Sequence, residues 1–232
     1  MDAIILAGGF GTRLRSVVSD VPKPMAQIVD KPFLSYLLKY LQHFDVKNVI
    51  LCTGYKHEVI EEYYSTNFEL LDIEYSMEDE PLGTGGAIKK ALSMIKSDNA
   101  IILNGDTLFN INLSECINLH VKENADITIA LKYLSDFDRY GSVKVYENRI
   151  IGFEEKKYKE YGYINGGIYI VNKHLFDPYR LPMTFSFEKE ILESKVNELR
   201  MVGYKSSSYF IDIGIPEDYE KAQKEVKELF NE

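Results

Sequence analysis

The segment Gly8-Gly9-Phe10-Gly11-Thr12-Arg13-Leu14 directly follows an apolar run, Ala3–Ala7, and carries residue types suited to phosphate. Glycines let a backbone take positive φ and come close to a ligand, leaving amide N–H groups free for phosphate oxygens. Arg13 adds one cation, and Lys23 in Pro22-Lys23-Pro24-Met25 adds another. The flanking prolines restrict the backbone around Lys23, so less entropy is lost on holding its ammonium in one place. Each feature alone has a plainer reading, a tight turn and a solvated lysine. Two familiar phosphate loops are excluded. The chain has no Gly-Lys dipeptide for a Walker A loop, and Leu14 stands where a dinucleotide fingerprint needs its third glycine.

Carboxylates are the second group. Asn104-Gly105-Asp106 closes another apolar run, and Asp212 sits between Ile211 and Ile213, just before Gly214. An unpaired carboxylate is costly to bury, so Asp212 calls for a partner cation, in a structural salt bridge or at a metal. One or two carboxylates, with substrate phosphates and water, are a common protein share of a Mg²⁺ site. Glu78 and Glu80 precede Leu82-Gly83-Thr84-Gly85-Gly86, which opens a helix. A carboxylate can accept the paired N1–H and 2-amino donors of guanine; exposed glutamates and a helix capped by Thr84 are the plainer reading. In the second half, Tyr140-Gly141, Glu155-Lys156 and Asn165-Gly166-Gly167 combine acceptors for sugar hydroxyls with a lysine for phosphate. Read alone, the run around Lys156 equally fits a solvated loop.

The elements between these residues must position them. Buried-strand patterns at Ala3–Ala7, Asn48–Thr53, Asp72–Met77 and Ala100–Leu103 alternate with helical patterns at Phe33–Phe44, His57–Tyr64 and Thr84–Ile95. Such alternation predicts crossover connections and a parallel sheet covered on both faces. Strand patterns then crowd together at Ile127–Lys132, Ser142–Val145, Ile150–Glu154 and Gly167–Val171, with a hairpin turn at Tyr146–Arg149. Helical patterns follow at Phe187–Val196 and from Pro216 to the C-terminus. The expected fold class is α/β: a mainly parallel, Rossmann-like mixed sheet flanked by helices, with an antiparallel part in the second half. No repeat, low-complexity tract or linker divides residues 1–232, which read as one domain. Ligands of such sheets gather at the carboxyl ends of the strands.

Composition narrows the partners. The 232 residues are 45% hydrophobic and 27% charged, enough for a core without disulfides or structural metal. The formal charge of −9 argues against duplex nucleic acid and anionic membranes, so bound phosphates must meet local or metal-borne cations. Cys52 and Cys116 lie far apart and suggest neither a disulfide framework nor zinc. The start lacks a basic leader and no apolar stretch approaches ~18 residues, so a soluble cytoplasmic protein is expected. His57-Glu58-Val59-Ile60-Glu61 lacks the second histidine of a zinc hydrolase, and no Gly-x-Ser-x-Gly elbow is present.

Leu6-Ala7-Gly8-Gly9-Phe10-Gly11-Thr12-Arg13-Leu14 with Pro22-Lys23-Pro24-Met25 resembles the signature of the sugar-1-phosphate nucleotidyltransferases. Glu80-Pro81-Leu82-Gly83-Thr84-Gly85-Gly86-Ala87, Asn104-Gly105-Asp106, Phe153-Glu154-Glu155-Lys156, Asn165-Gly166-Gly167-Ile168-Tyr169 and Asp212-Ile213-Gly214 carry the resemblance over essentially the whole chain. Arg15-Ser16-Val17-Val18-Ser19-Asp20 and the compact length are most similar to the D-glycero-D-manno-heptose 1-phosphate guanylyltransferase branch. Lys157, where the family usually has proline, and Ile215, where it has threonine, are departures.

The resemblance implies Mg²⁺-dependent transfer of a nucleotidyl group from a nucleoside triphosphate, GTP in this branch, to a sugar 1-phosphate. Pyrophosphate is released and the NDP-sugar serves surface polysaccharide synthesis. It implies catalytic roles for Arg13 and Lys23, and nucleotide contacts from Leu6, Ala7, Gly8, Gly9, Gly11, Thr12, Arg13, Glu78, Glu80, Gly83 and Thr84. Sugar-phosphate contacts fall to Gly141, Glu155, Lys156 and Asn165, and the metal to Asp106 and Asp212. Residues 1–110 then form mainly the nucleotide half and 111–232 the sugar-phosphate half; a homodimer is compatible. A mannose- or glucose-1-phosphate nucleotidyltransferase using another base is the alternative. A non-catalytic NDP-sugar-binding subunit would be expected to lack Lys23 or the aspartates, and a glycosyltransferase would need the Asp-x-Asp that Asp106-Thr107-Leu108 does not supply.

Overall fold

Short aliphatic runs form the strands, and amphipathic runs form the helices that cover them. A computed structural model describes residues 1–9, 14, 18 and 20–230; residues 10–13, 15–17, 19 and 231–232 lie outside the description. The first half contains β1 (Asp2–Leu6), the ribbon β2 (Gln27–Ile28) and β3 (Lys31–Pro32), α1 (Phe33–Gln42), β4 (Asn48–Thr53) and α2 (His57–Tyr64). It continues through β5 (Asn67–Phe68), β6 (Leu71–Met77), α3 (Gly83–Leu92), β7 (Asn99–Asn104) and β8 (Thr107–Phe109). Then come α4 (Leu113–Lys122), β9 (Ile127–Phe137), β10 (Ser142–Tyr146), β11 (Arg149–Glu154) and β12 (Lys159–Asn172). A π-helical turn at Glu188–Glu193, β13 (Met201–Ser206), β14 (Phe210–Asp212) and α5 (Pro216–Leu229) complete the chain. No helix among the described residues is long and apolar enough to cross a membrane.

Ten strands form one sheet in the order β10-β11-β13-β9-β12-β7-β1-β4-β6-β5. The block β7-β1-β4-β6 is parallel, as the alternating first half predicts. Beyond β7, β12 runs antiparallel, β9 antiparallel to it, and β13 parallel to β9. The sheet is therefore mixed: most antiparallel pairs lie in the second half, and at the opposite edge the short β5 runs antiparallel to β6 within the first half, which the alternating pattern did not predict. In β1, Leu6 pairs with Cys52 of β4 and Asn104 of β7, which aligns the carboxyl ends of three strands.

Each face of the sheet carries a core. One buries Phe33, Leu37 and Leu41 of α1 with Ala222 and Val226 of α5. The other packs Ala87, Ile88 and Ala91 of α3 against Phe185, Phe187 and Leu192. Phe187 meets Tyr169 edge-on, with ring centroids 5.3 Å apart.

Several boundaries move. The Phe33–Phe44 pattern ends at Gln42, and the Phe187–Val196 pattern yields only a π-turn over Glu188–Glu193. The Gly167–Val171 pattern is the end of a strand that begins at Lys159, because Gly-rich Asn165–Gly167 bulges without ending the ladder. Besides the short strands β2, β3, β5 and β8, two longer elements carried no signal. Helix α4 buries only Leu113, Cys116 and His120, a stripe too narrow to read, and β13 is interrupted by Gly203. A Cβ at that glycine would lie 2.4 Å from Leu131 Cδ1, so a larger residue there would force the Leu131 side chain to shift.

Candidate active site

Backbone contacts at the aligned strand ends close the floor of the site. Ala7 N–H donates to Cys52 C=O at 2.8 Å, and Gly105 N–H to Leu6 C=O at 3.0 Å. Gly8 then turns against β6: a Cβ there would come within 3.1 Å of Glu78 Oε1. Glu78 is held in turn, its N–H donating to Thr53 C=O at 2.7 Å and its Oε2 accepting Leu82 N–H at 2.9 Å. Burial pushes the Glu78 carboxyl above its ordinary range, against the opposing pull of the Leu82 N–H and of Lys90.

Asp106 follows the end of β7, and Asp212 ends β14, which pairs antiparallel with β8 so that Asp212 faces Thr107. Ile213 N–H donates to Asp106 C=O at 2.9 Å and fastens the two segments together. Lys23 opens a short helical turn, Lys23–Met25, in which Ala26 N–H donates to Lys23 C=O at 3.0 Å. The Lys23 ammonium contacts Asp106 Oδ2 and lies 3.8 Å from Asp212 Oδ1. The lysine side chain is only 10% exposed, whereas the carboxylates are 32% and 25% exposed and can reach a ligand. Two oxygen-bearing anions thus converge on one cation position, which fits a hard divalent ion. No group of three or more His, Cys, Asp or Glu among the described residues is arranged to hold a metal, so phosphate oxygens and water would complete such a site.

From this point a cleft of about 440 Å³ opens, within the range of small-molecule sites. Of the expected residues, Leu6, Gly8, Gly9, Lys23, Glu78, Gly83, Thr84 and Asp106 line it. Its wall at α3 depends on glycine. Gly83 has φ +70°, and a Cβ there would stand 2.6 Å from Phe185 C=O, so the helix start lies flush against the segment before the π-turn. A neighbouring hollow of about 370 Å³ shares Gly8, Glu78 and Pro81 and adds Tyr55 and His57, which makes Glu78 part of the partition.

Other expected residues stand apart. Ala7 is buried beneath the cleft, and Glu80 is exposed beside it. Glu155 and Lys156 are exposed between β11 and β12, and neither they nor Gly141 and Asn165 line the cleft. Gly141 packs on β11, where a Cβ would meet Glu154 C=O at 2.7 Å. Asn165 donates from Nδ2 to the Tyr169 hydroxyl at 2.8 Å and accepts Gly167 N–H at 3.0 Å. It thereby shapes the bulge that brings Gly167, φ +74°, against the Asn104 side chain. Lys159, Lys157, Lys144 and the Ser142 hydroxyl surround Glu154 and hold its carboxyl well below the usual range. Gly11, Thr12 and Arg13 lie outside the described residues. Sequence reasoning missed Glu188, which lines the cleft; among the charges of a helical pattern nothing distinguished it.

Residues 2–228 match the family model described as Nucleotidyl transferase. The chain is 52% identical over 227 residues to the D-glycero-alpha-D-manno-heptose 1-phosphate guanylyltransferase of Aneurinibacillus thermoaerophilus, covering 98% of this chain and 99% of that protein. It is 51% identical over 220 residues to the enzyme of the same name from Campylobacter jejuni, covering 94% and 97%. The crystal structure of HddC from Yersinia pseudotuberculosis superposes with a TM-score of 0.86 at 37% identity, over 96% of this chain and 98% of that one. HddC complexed with GMP-PN superposes with a TM-score of 0.85 over the same shares.

Proposed function

The chain belongs to the nucleotidyl transferase family, and from that premise we propose that it transfers a guanylyl group from GTP to D-glycero-α-D-manno-heptose 1-phosphate. The observation that carries this reading is the convergence of Asp106 and Asp212 on Lys23, which together with Asp106 and Gly214 lines one end of the glycine-walled cleft. A phosphate monoester is largely ionised at neutral pH, so the acceptor oxygen needs no general base. It forms a bond to the α-phosphorus as the bond to the pyrophosphate oxygen breaks in line, and the work left to the protein is positioning and charge neutralisation.

Gly8 and Gly9 offer backbone to the triphosphate at the strand end, with Gly11, Thr12 and Arg13 continuing that cradle. Lys23 brings an enclosed ammonium to the phosphates. Asp106 and Asp212 are the residues that would hold Mg²⁺, which when bound supplies further positive charge to the phosphate oxygens. Glu78, with Oε2 occupied by Leu82 N–H, keeps Oε1 on the side of the glycine turn for the paired donors of guanine. Lys156, with Glu155, Gly141 and Asn165, serves the sugar phosphate from the second half. The reaction is assigned to the cytoplasm.

The test is pyrophosphate release from GTP, ATP, CTP, UTP and dTTP, each with the heptose 1-phosphate and with mannose 1-phosphate. GTP with the heptose is expected to give the highest kcat/KM, because a site built on hydrogen bonds strands a buried acceptor when the wrong base enters. A pyrimidine triphosphate in first place would overturn the guanine assignment.

A further inference from the structure

Glu188 faces the cleft from the second half of the chain and has no part in the reading above. Its Oε2 accepts two hydroxyls, Thr84 Oγ1 at 2.6 Å and Ser186 Oγ at 2.8 Å. Thr84 Oγ1 itself accepts Phe187 N–H at 2.9 Å, so the carboxylate is braced between the start of α3 and the π-turn. Among the described residues no hydrogen bond reaches Oε1 and no cation pairs with Glu188.

A carboxylate fixed by one oxygen, with the other turned to a ligand cleft, has a narrow chemical use. It accepts and cannot donate, it repels phosphate, and its rotamer is already ordered, so it favours O–H donors. Glu188 and Asp106 line the same cleft, so Glu188 shares the space of the carboxylate centre without pairing with its cation. Between the two halves of the site the Tyr169 hydroxyl is buried and bonded by Asn165 Nδ2, and burial holds it protonated. The groups of the substrates that suit such a place are ring hydroxyls adjoining a phosphate.

We propose that Glu188 is a specificity residue that accepts ring hydroxyls of a substrate, from either the sugar of the sugar 1-phosphate or the ribose of the nucleotide. The proposal rests on the nucleotidyl-transfer reading, and the two are tested separately. Glu188→Gln keeps a carbonyl oxygen for Thr84 and Ser186 but loses the charge and half the acceptor capacity. Calorimetry measures binding of GTP and of the heptose 1-phosphate by themselves, steady-state kinetics gives KM and kcat, and a ligand-free melt reports folding.

The variant is expected to melt like the parent and to weaken one ring-bearing substrate at least tenfold (about 1.4 kcal/mol) in KM and Kd, with kcat little changed. Deoxy analogues identify the ring. If 2′- or 3′-deoxy-GTP costs the parent affinity and costs Glu188→Gln nothing further, the ribose is held; the same pattern with 2- or 3-deoxy-mannose 1-phosphate assigns the sugar. Equal discrimination by parent and variant overturns the proposal. So does a Glu188→Ala protein that melts lower but keeps every KM, since that is a structural tie alone. A parent that binds both ligands without releasing pyrophosphate refutes the reaction and leaves the calorimetric comparison to decide on Glu188; a parent that binds neither ligand overturns both.

Discussion

Lys23 lies against Asp106 and within 3.8 Å of Asp212, so its ammonium stands at the position a divalent ion would share with the two carboxylates. A divalent ion held by Asp106 and Asp212 would compete with the lysine for that position unless the lysine turned toward phosphate. Lys23→Met is therefore expected to lose at least about a hundredfold in turnover, the usual scale for removing one preorganised charge. Its Mn²⁺ affinity without nucleotide, followed by electron paramagnetic resonance, should nevertheless rise, because the aspartates lose their built-in partner. Asp106→Asn and Asp212→Asn should lose both turnover and Mn²⁺. Unchanged or weaker Mn²⁺ binding in Lys23→Met would sink the shared-position reading. These three residues were readable in the chain, Lys23 from its proline frame and the aspartates from apolar runs that end in charge. Glu188 was not, because what sets it apart is a pair of hydroxyl donors, one of them brought from α3 by folding.

Helix α4 and strand β9 are joined by a buried pair, His120 Nδ1 and Thr128 Oγ1, 2.9 Å apart. Burial pushes the His120 pKa down to about 4 from an ordinary 6.5. Between those values the unfolded chain binds a proton that the folded chain refuses, so stability falls as pH drops from 6.5 toward 4; above that window this group costs nothing, and below it the loss is complete and no longer changes with pH. The full effect is on the order of 3 kcal/mol. Urea midpoints at pH 7, 6 and 5 should decline in the parent and decline less in His120→Phe; parallel curves would remove His120 as the cause. Helix α4 escaped sequence reading for the same reason that it matters here. Its buried stripe contains a histidine and a cysteine in place of a continuous aliphatic face, so periodicity gives a weak signal.

The halves 1–110 and 111–232 share one sheet. Strand β12 pairs antiparallel with β7 from Ile168 opposite Leu103 to Asn172 opposite Asn99. Helix α5 returns to the first half, where the Tyr219 hydroxyl donates to Gln27 C=O at 2.6 Å and Val29 N–H donates to Gln223 Oε1 at 2.7 Å. We propose that the chain unfolds as one unit: urea transitions followed by near- and far-ultraviolet circular dichroism should coincide, whereas two separated transitions would mean two domains. What could be read along the chain was local in origin: the β1 run and its glycine turn, the strand–helix alternation of the first half, and the ionic residues punctuating apolar runs. Periodicity and turn chemistry report interactions among near neighbours, and those interactions are written in consecutive residues. The folded molecule alone decided that β13 enters between β11 and β9, that β14 sets Asp212 beside Asp106, and that Glu188 meets Thr84. Those pairings join segments far apart in sequence, and they are selected by which faces can be buried together with their backbone hydrogen bonds satisfied, a condition that no single stretch of residues contains.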